Sequence, residues 1–504
     1  MSAQNHMHQS KVSRRLDAVT APEVCELIYL PRLKDFSLHF PFITAINQAH
    51  VLMLNQQGLI PAKAAQSIAK ALIEMEREGP EVIELDPQRE DAYFNYEARL
   101  IDKIGIDTGG RMHTARSRND ILATMDRMRC REVVNAIMEA LSRVRVAALN
   151  AAENNLDVVM PGYTHLQPAQ PMTYGFYLTG VAEALGRDAD RLSNAYERID
   201  QSPLGAGAFA GTSYAIDRSQ TAKLLGFPTV IDSSLDSVAS RDFLFEVLGT
   251  LSLLAATWSR VAQDYFLWTT DEFNLFEFPD SVAGTSSIMP QKKNPVVLEY
   301  LKGRAGHVLG SYTAAITILR TTNFTHSGDA NRESIGAFWA TAQDCLASLK
   351  LLELVISSAK PRKEPMLKRA RENFSSATDL ADVIVTKGDV SFRQAHHIVG
   401  AVVREALDSS MTADQITLDM VQRACRDQLG HEISLTKEDL SASLDPSLSV
   451  ESRDNGGPSS KSVRNVLAKA RASLEKHEAE IRARKLAISK ADSERRLKIA
   501  ELAG

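Results

Sequence analysis

Apolar residues recur every three or four positions over five long segments in the middle of the chain. The segments cover residues 122–148, 174–196, 243–265, 298–319 and 335–352. This spacing is typical of amphipathic helices, and at 18 to 27 residues each pattern is longer than an average helix. Such helices bury their apolar faces most effectively by packing side by side in a bundle. On several of these helices the apolar face is wider than one neighbouring helix can cover, so we expect bundles of different subunits to pack together.

The flanking parts of the chain predict shorter helices. From about residue 40 to 105, turn signals such as Gln57-Gly58 interrupt the apolar pattern, and the helices shorten again after about residue 366. Residues 451–460 (ESRDNGGPSS) break the chain before a tail rich in Ala, Lys, Arg and Glu, which predicts a solvated helix. We predict an all-α subunit with a mostly helical domain at 1–118, a long-helix bundle at 119–365 and a small helical domain with a helical tail at 366–504.

Composition and charge argue against several classes of protein. Hydrophobic residues make up 44% of the 504 residues and charged residues 24%, which are ordinary globular values. A net charge of −5 is mild and argues against a basic nucleic-acid-binding face. The opening stretch has no apolar leader, and no segment approaches the roughly 20 apolar residues that span a bilayer. The four cysteines are far apart and fit a reducing compartment, so we expect a cytoplasmic protein without nucleic-acid or membrane partners.

Three polar, turn-forming segments interrupt the bundle pattern, and each leads into a long helix. They are residues 109–120 (GGRMHTARSRND), 161–171 (PGYTHLQPAQP) and 284–294 (GTSSIMPQKKN). A helix N-terminus has unpaired N–H groups and a partial positive charge, so it suits a carboxylate. The third segment is the strongest candidate, because its serine pair and lysines precede a helix and could bind and react with an anion. A purely structural reading stays open for each: a capped helix start, a structural histidine, or a Gly/Ser surface loop with solvated lysines.

Local chemistry in these segments makes further predictions. Asn119 or Asp120 is expected to cap the first helix, and Asn294 is expected to cap a helix that begins at Pro295. His165 is expected in a stiff turn bounded by prolines.

No motif for a nucleotide or a metal accompanies these segments. The chain has no GxGxxG after a strand, no GxxxxGK[ST] and no HExxH. The pair His396-His397 has no acidic or cysteine ligands spaced around it, so a structural role is favoured. We therefore predict neither a cofactor nor a metal ion.

All three segments resemble the signature regions of the fumarase/aspartase superfamily. The runs HTARSRND and MPQKKNP narrow the resemblance to its argininosuccinate lyase branch, which includes the δ-crystallins. Agreement extends to residues 203–218, 377–400 and 456–471, so the resemblance covers roughly residues 90–475. It implies a three-domain subunit, a homotetramer with a twenty-helix core, and active sites where signature regions from three subunits meet. It also implies a lyase of arginine biosynthesis that expels fumarate from an N-substituted aspartate.

The resemblance assigns roles to individual residues. Ser286 is expected to be the base that removes a proton beside a carboxylate, and Lys292 and Asn294 are expected to hold the carboxylate that accepts charge. His165 is expected to assist proton movement or the leaving nitrogen. The other residues expected to bind substrate are Ser117, Arg118, Asn119, Thr164, Gln167, Ser287, His326 and Asn331.

The chain departs from the family pattern where the amine would bind. Ile121 stands where the family typically has Gln, and Val296 stands where it usually has Asp. An ungapped alignment puts His326, Asn331 and Ser334 where the family typically has Tyr, Gln and Lys. Argininosuccinate remains the first candidate substrate. Another N-substituted aspartate, with an aminocarboxylic acid or another amine as leaving group, is the alternative, and a non-catalytic crystallin-like paralogue is a second.

Overall fold

The computed structural model describes residues 18–504 of the chain. The expectation that no leader segment opens the sequence concerns residues that lie almost entirely outside this range. The N-terminal part folds into helices with the bounds α1 Pro22–Val24, α2 Leu30–Leu33, α3 Phe36–Gln56, α4 Ala62–Glu78, α5 Ala92–Ile104 and α6 Ile106–Gly109. Helix α3 is buried on nearly all sides from Ile43 to Leu54, so it forms the centre of this part.

The five predicted long helices are present. The middle of the chain forms α7 Arg118–Glu153, α8 Tyr174–Ile199, α9 Arg218–Leu224, α10 Ser234–Ala239, α11 Asp242–Trp268, α12 Val296–Leu319 and α13 Phe338–Ser358. The apolar faces of the five long helices α7, α8, α11, α12 and α13 share one core, and the indole N–H of Trp258 in α11 donates to the carbonyl of Leu301 in α12 (2.9 Å). The all-α prediction is confirmed.

Two helix starts differ from the prediction. Ser117, and not Asn119 or Asp120, caps α7: its Oγ accepts the amide N–H of Asn119, and the carboxylate of Asp120 accepts the amide N–H of Ser117. Helix α12 begins at Val296, because Asn294 belongs to a short strand and Pro295 takes the cap position. The error at α7 arises because several residues able to cap a helix stand side by side there, whereas at α12 the pairing of Asn294 in a strand removes it from the helix start.

Short strands punctuate the helices. They are β1 Val159–Thr164, β2 Gln167–Thr173, β3 Gln201–Ser202, β4 Thr229–Val230, β5 Phe276–Glu277, β6 Gly284–Thr285, β7 Lys293–Asn294 and β8 Lys360–Pro361. β1 and β2 form an antiparallel hairpin, β6 pairs with β7, and β5 pairs with β8. The sequence predicted a turn around His165 but not the two strands beside it.

The C-terminal part has its own apolar cluster, which runs from Leu380 to Leu444. The helices of this C-terminal part are α14 Lys363–Glu372, α15 Ala377–Gly388, α16 Phe392–Asp408, α17 Leu418–Leu429, α18 Lys437–Leu444 and α19 Pro446–Glu451. Single 3-10 or π turns lie at Cys25–Tyr29, Pro80–Val82, Pro87–Arg89, Gly110–His113, Asp280–Val282, Asp329–Glu333, Phe374–Ser376 and Ala413–Gln415.

The tail forms one helix of 44 residues, α20 Ser460–Ala503. The prediction of a helix is confirmed, but the helix is not simply solvated. Val463, Leu467 and Leu474 join the core of the long helices, and Ile499 and Ala503 join the N-terminal core. α20 therefore ties two parts of the subunit together. Among residues 18–504, no helix is long and apolar enough to cross a membrane.

Candidate active site

The start of α7 is fixed to a glycine-rich loop by a buried carboxylate. Asp120 is fully buried, and its Oδ1 accepts the amide N–H of Ser117 (3.0 Å). Its Oδ2 accepts the amide N–H groups of Gly205 and Gly207, each at 3.0 Å. Asn119 makes a second link, because its Nδ2 donates to the carbonyl of Ala208 (3.0 Å). The candidate binding residues at this helix start are therefore held against the loop after β3.

A buried polar network lies behind the same turn. Ala115 has φ +66°, a left-handed conformation that costs a non-glycine residue roughly 1 kcal/mol. Next to it, the buried Arg116 donates through Nη2 to Asn47 Oδ1 (2.6 Å) and to the Tyr93 hydroxyl (3.2 Å). Tyr93 also contacts His113 Nδ1 (2.8 Å), and burial, followed by nearby arginines, lowers the pKa of His113 to about 4. These contacts compensate the strained turn and hold the segment in one conformation.

Arg118 is held by carboxylates of its own chain. Its Nη1 donates to Glu90 Oε2 (2.8 Å) and to Asp91 Oδ2 (3.1 Å). The guanidinium lies over the ring of Phe94, 4.2 Å from the ring centre. A fixed guanidinium of this kind keeps further N–H donors for an anion, and its side chain is still one-third exposed.

His326 and Asn331 lie near a group of arginines. Burial, and then the positive charges of Arg241, Arg332 and Arg118, lower the pKa of His326 to about 4, so its ring is neutral at pH 7. Its Nδ1 is buried without a hydrogen-bond partner. Asn331 is 2% exposed, and neither atom of its side-chain amide has a partner. The structure thus places His326 in the electrostatic field of Arg118, although the two are far apart in sequence.

The second candidate segment forms the tip of the β1–β2 hairpin. Thr164 pairs with Gln167, so His165 and Leu166 are the two central residues of a two-residue turn. Their φ angles are +55° and +58°, which is the geometry of a type I′ turn. Such turns favour Asn and Gly, so these larger residues are strained here. All four side chains are exposed.

The third candidate segment is a loop closed by the β6–β7 ladder. Ser286 Oγ accepts the amide N–H of Met289 (3.0 Å) and that of Ile288 (3.4 Å). Asn294 Nδ2 donates to the carbonyl of Thr285 (3.2 Å), which fastens the base of the loop. Ser287, directly after Ser286, is exposed at the tip.

The two lysines of this loop differ in their surroundings. Lys293 pairs with Asp280 (2.8 Å) and lies 3.8 Å from Glu277. Lys292 is exposed and forms no ion pair with any residue in the part of the chain that the structure describes. Lys293 therefore anchors the loop, and Lys292 is left for an external anion.

The three segments share no hydrogen bond or ion pair with one another among residues 18–504. No hydrogen bond or ion pair between residues 18 and 504 links Ser286 or His165 to Arg118. Of the candidate residues, Ser117, Arg118, Asn119, His326 and Asn331 lie on elements at or around the start of α7. Within the same described range, no three His, Cys, Asp or Glu side chains lie together as a metal site.

Sequence reasoning missed several residues that build these segments. Asp91 contacts Arg118, Tyr93 contacts the neighbouring Arg116, and Arg241 contacts Asp126 on the same helix as Arg118. These contacts span long sequence separations, and no local motif singles them out. Buried Asp and Arg residues are unusual in a helix bundle, so they would point to a functional site. Their burial could not be predicted without the fold.

Comparisons with known proteins agree with this arrangement. A family model described as "Lyase" matches residues 32–310, and one described as "Argininosuccinate lyase C-terminal" matches residues 374–451. Argininosuccinate lyase 1 of Shouchella clausii is 38% identical over 480 residues, which are 95% of this chain and 96% of that protein.

Solved structures of EDDS lyase are also similar. Its complex with formate has a TM-score of 0.87, and a variant with bound fumarate has a TM-score of 0.86. Each is 32% identical and covers 96% of both chains. The chain therefore belongs to the argininosuccinate lyase family of the fumarase/aspartase superfamily, and it is a carbon–nitrogen lyase.

Proposed function

We propose that this enzyme expels fumarate from an N-substituted aspartate by β-elimination, and that argininosuccinate, which yields arginine and fumarate, is its first candidate substrate. The similar proteins named argininosuccinate lyase support this proposal, as does the bound fumarate in the EDDS lyase variant. His326 and Asn331 differ from the family pattern at the amine end, so another amine is the alternative product.

The reaction needs a base, an acid and a site for the developing charge. The base takes the proton from the carbon beside one carboxylate, and the electrons left on that carbon form the double bond of fumarate. The C–N bond breaks, and its electron pair leaves with nitrogen, which receives a proton. Negative charge accumulates on the carboxylate during the first step, so fixed donors around that group lower the barrier.

Ser286 is the base, and the observation that carries this assignment is the geometry around its hydroxyl. The amide N–H groups of Met289 and Ile288 point at Ser286 Oγ from within the same loop. Donors aimed at an oxygen stabilise its ionised form, and the positive charge of Lys292 nearby in sequence acts in the same direction. A serine in this setting ionises more readily than an ordinary hydroxyl, so more of it is in the alkoxide form that can take up the proton.

The remaining candidates bind the two carboxylates and the leaving nitrogen. Lys292 and Asn294 hold the carboxylate that accepts charge, with Ser287 beside them. His165, carried outward on the hairpin tip, transfers the proton that the nitrogen needs. The residues that grip the rest of the aspartate skeleton are Ser117, Arg118, Asn119, Thr164 and Gln167.

These groups meet only if subunits assemble. Helix α12 is apolar in sequence, yet only four of its 24 residues are buried in the single chain. Tyr300 and Leu309 are 60% and 56% exposed on it, and Leu253 on the neighbouring α11 is 51% exposed. Exposed apolar faces on long central helices fit burial against other copies of the chain. We therefore propose a homotetramer whose active sites are shared between subunits.

The variant Ser286→Ala tests the proposed function. We expect it to lose fumarate formation by at least about a thousandfold, because the base is removed, while light scattering still reports the wild-type mass. Ser489→Ala, a change of the same kind on the exposed side of α20, is the control and should keep full activity. A Ser286→Ala enzyme that retains near wild-type turnover would exclude this assignment.

A further inference from the structure

We infer that Glu277 is a positioning residue for the serine loop, which we define as residues 284–294. Its carboxylate lies between Lys293 of this loop and Arg362, and it thereby holds Ser286 where the proposed elimination needs it. The inference rests on the proposed function and adds to it a residue that no sequence motif singles out.

The serine loop makes its hydrogen bonds within itself. Strand β6 pairs with β7, Asn294 Nδ2 donates to the carbonyl of Thr285, and Ser286 Oγ accepts two amide N–H groups of the same loop. Among residues 18–504, no hydrogen bond joins the serine loop to the rest of the chain. The loop can therefore change its position as a unit without losing these bonds.

The ion pairs of Lys293 connect the loop to its surroundings. Lys293 Nζ lies 2.8 Å from Asp280 Oδ1 and 3.8 Å from Glu277 Oε1. Asp280 lies in the turn just before the loop, and its side chain is 98% exposed, so this pair closes the loop on its own stem. Glu277 belongs to β5, so the second pair is the one that connects the loop to a strand outside it.

Glu277 is itself held from β8. Arg362 Nη2 donates to Glu277 Oε2 (3.2 Å), and the amide N–H of Arg362 donates to the carbonyl of Leu275 (2.9 Å). β5 and β8 are paired through Phe276 and Pro361. The two oxygens of one carboxylate thus face two different cations, and Glu277 bridges a paired strand and the serine loop.

A cavity lies beneath the base of the loop. Its volume is about 400 Å³, and its walls include Gln291 and Lys293 of the loop, Thr270 and Asn274 after α11, and Arg362. Because side chains do not fill this space, packing contributes little to the position of the loop on that side. The restraint there comes from the ion pairs of Glu277.

A spin label at the tip of the loop tests the inference without using the reaction. Ile288 is 83% exposed and the four native cysteines are buried, so Ile288→Cys provides one accessible thiol for a nitroxide label. An exposed ion pair shifts an equilibrium by about 1.4- to 5-fold, so the loss of two pairs in Glu277→Gln amounts to about 2- to 30-fold. We expect the ratio of mobile to immobile label in the EPR spectrum of the full-length enzyme to rise by that factor. Glu405→Gln, which weakens an exposed ion pair with Arg423, is the matched control and should leave the ratio unchanged.

Kinetics show whether the position of the loop serves the reaction. Substrate binds the positioned loop through Lys292, so saturating substrate restores that position in Glu277→Gln. We therefore expect KM to rise by about 2- to 30-fold and kcat to change by less than about twofold. Combining Glu277→Gln with Lys293→Gln should cost no more than Lys293→Gln alone, because Glu277 acts through Lys293. A merely structural loss would multiply with that of the second change.

The outcomes separate this inference from the proposed function. If Glu277→Gln leaves the label and KM unchanged, or if the two single losses multiply in the double variant, Glu277 does not position the loop and the lyase assignment stands. A label that becomes mobile without a rise in KM also overturns the inference, because the position of the loop then does not serve the reaction. If Ser286→Ala keeps near wild-type turnover, the proposed base fails, and the positioning role fails with it.

Discussion

The variant Asp120→Asn probes the joint between the start of α7 and the glycine loop. The native carboxylate accepts three amide N–H groups, one on Oδ1 and two on Oδ2. Asparagine has the same shape but only one acceptor oxygen, and its NH2 group must face at least one of the three donors. In the better orientation the oxygen keeps Gly205 and Gly207, and the amide of Ser117 loses its partner. That loss costs about 1–3 kcal/mol.

A second effect opposes the first and depends on pH. Burial raises the pKa of Asp120 from 3.8 to about 6, although the amide donors act in the opposite direction. Because the folded protein holds this proton more tightly than the unfolded chain does, the stabilising effect is present below about pH 4 and is lost as pH rises to about 6. The loss amounts to about 3 kcal/mol over the whole window. Asparagine does not titrate, so the variant lacks this dependence.

Urea unfolding of both proteins at about pH 5 and about pH 7.5 measures the balance. We expect the free energy of unfolding of the wild type, relative to that of Asp120→Asn, to fall by about 1–1.5 kcal/mol between these two pH values. Asp102→Asn, an exposed neutralisation on α5, controls for the general effect of charge. A difference that stays constant, or that grows with pH, would refute the proposed burial of a raised-pKa carboxylate.

Two further changes test the hairpin and the tail. Leu166→Gly relieves a left-handed residue that is 62% exposed, and it should stabilise the subunit by about 1 kcal/mol in urea unfolding; a less stable variant would contradict the assigned turn. Ile499→Ala removes a 2% exposed side chain where α20 reaches the N-terminal core, and it should cost about 2–4 kcal/mol. Leu497→Ala, at a 62% exposed position on the same helix, should cost less than about 0.5 kcal/mol, and equal losses in the two variants would mean that α20 does not dock there.

The long helices could be predicted because their apolar spacing continues over many turns. The same rule also applies to the tail, where Val463, Leu467, Ala470, Leu474 and Ile481 recur at helical spacing and are buried. Because the tail also contains many charged residues, its composition predicts a solvated helix even though one face of it is apolar. The amino-acid composition averages over all sides of a helix, whereas packing against the core depends on the residues of one face.

The hairpin could not be predicted from local pattern. Its strands carry Pro161, Pro168 and Pro171, which lack an amide donor, and they show no regular alternation of apolar and polar residues. Pairing between the two strands, and not their intrinsic preference, creates them. The sequence therefore predicts the turn that holds His165 but not the two paired strands that carry it.

Some residues of the candidate site could also be predicted from the sequence, and others could not. Ser286, Lys292 and Arg118 could be singled out because each lies in a short motif, where residues that can bind or react with an anion stand close together in sequence. The side chains that hold them, such as Asp91 beside Arg118, come from other segments and are placed only by the fold. The proposed meeting of the three segments uses neighbouring copies of the chain, which no local pattern describes.

Complementation between inactive variants tests the shared active site most directly. Chains carrying Ser286→Ala and chains carrying Arg118→Gln, each inactive alone, are co-expressed with different tags, and oligomers that contain both are isolated. If the two residues reach each site from different subunits, random assortment restores about a quarter of wild-type activity, because such a site can combine a native Ser286 with a native Arg118. Mixed oligomers that form normally but stay as inactive as either parent would contradict a site built between subunits.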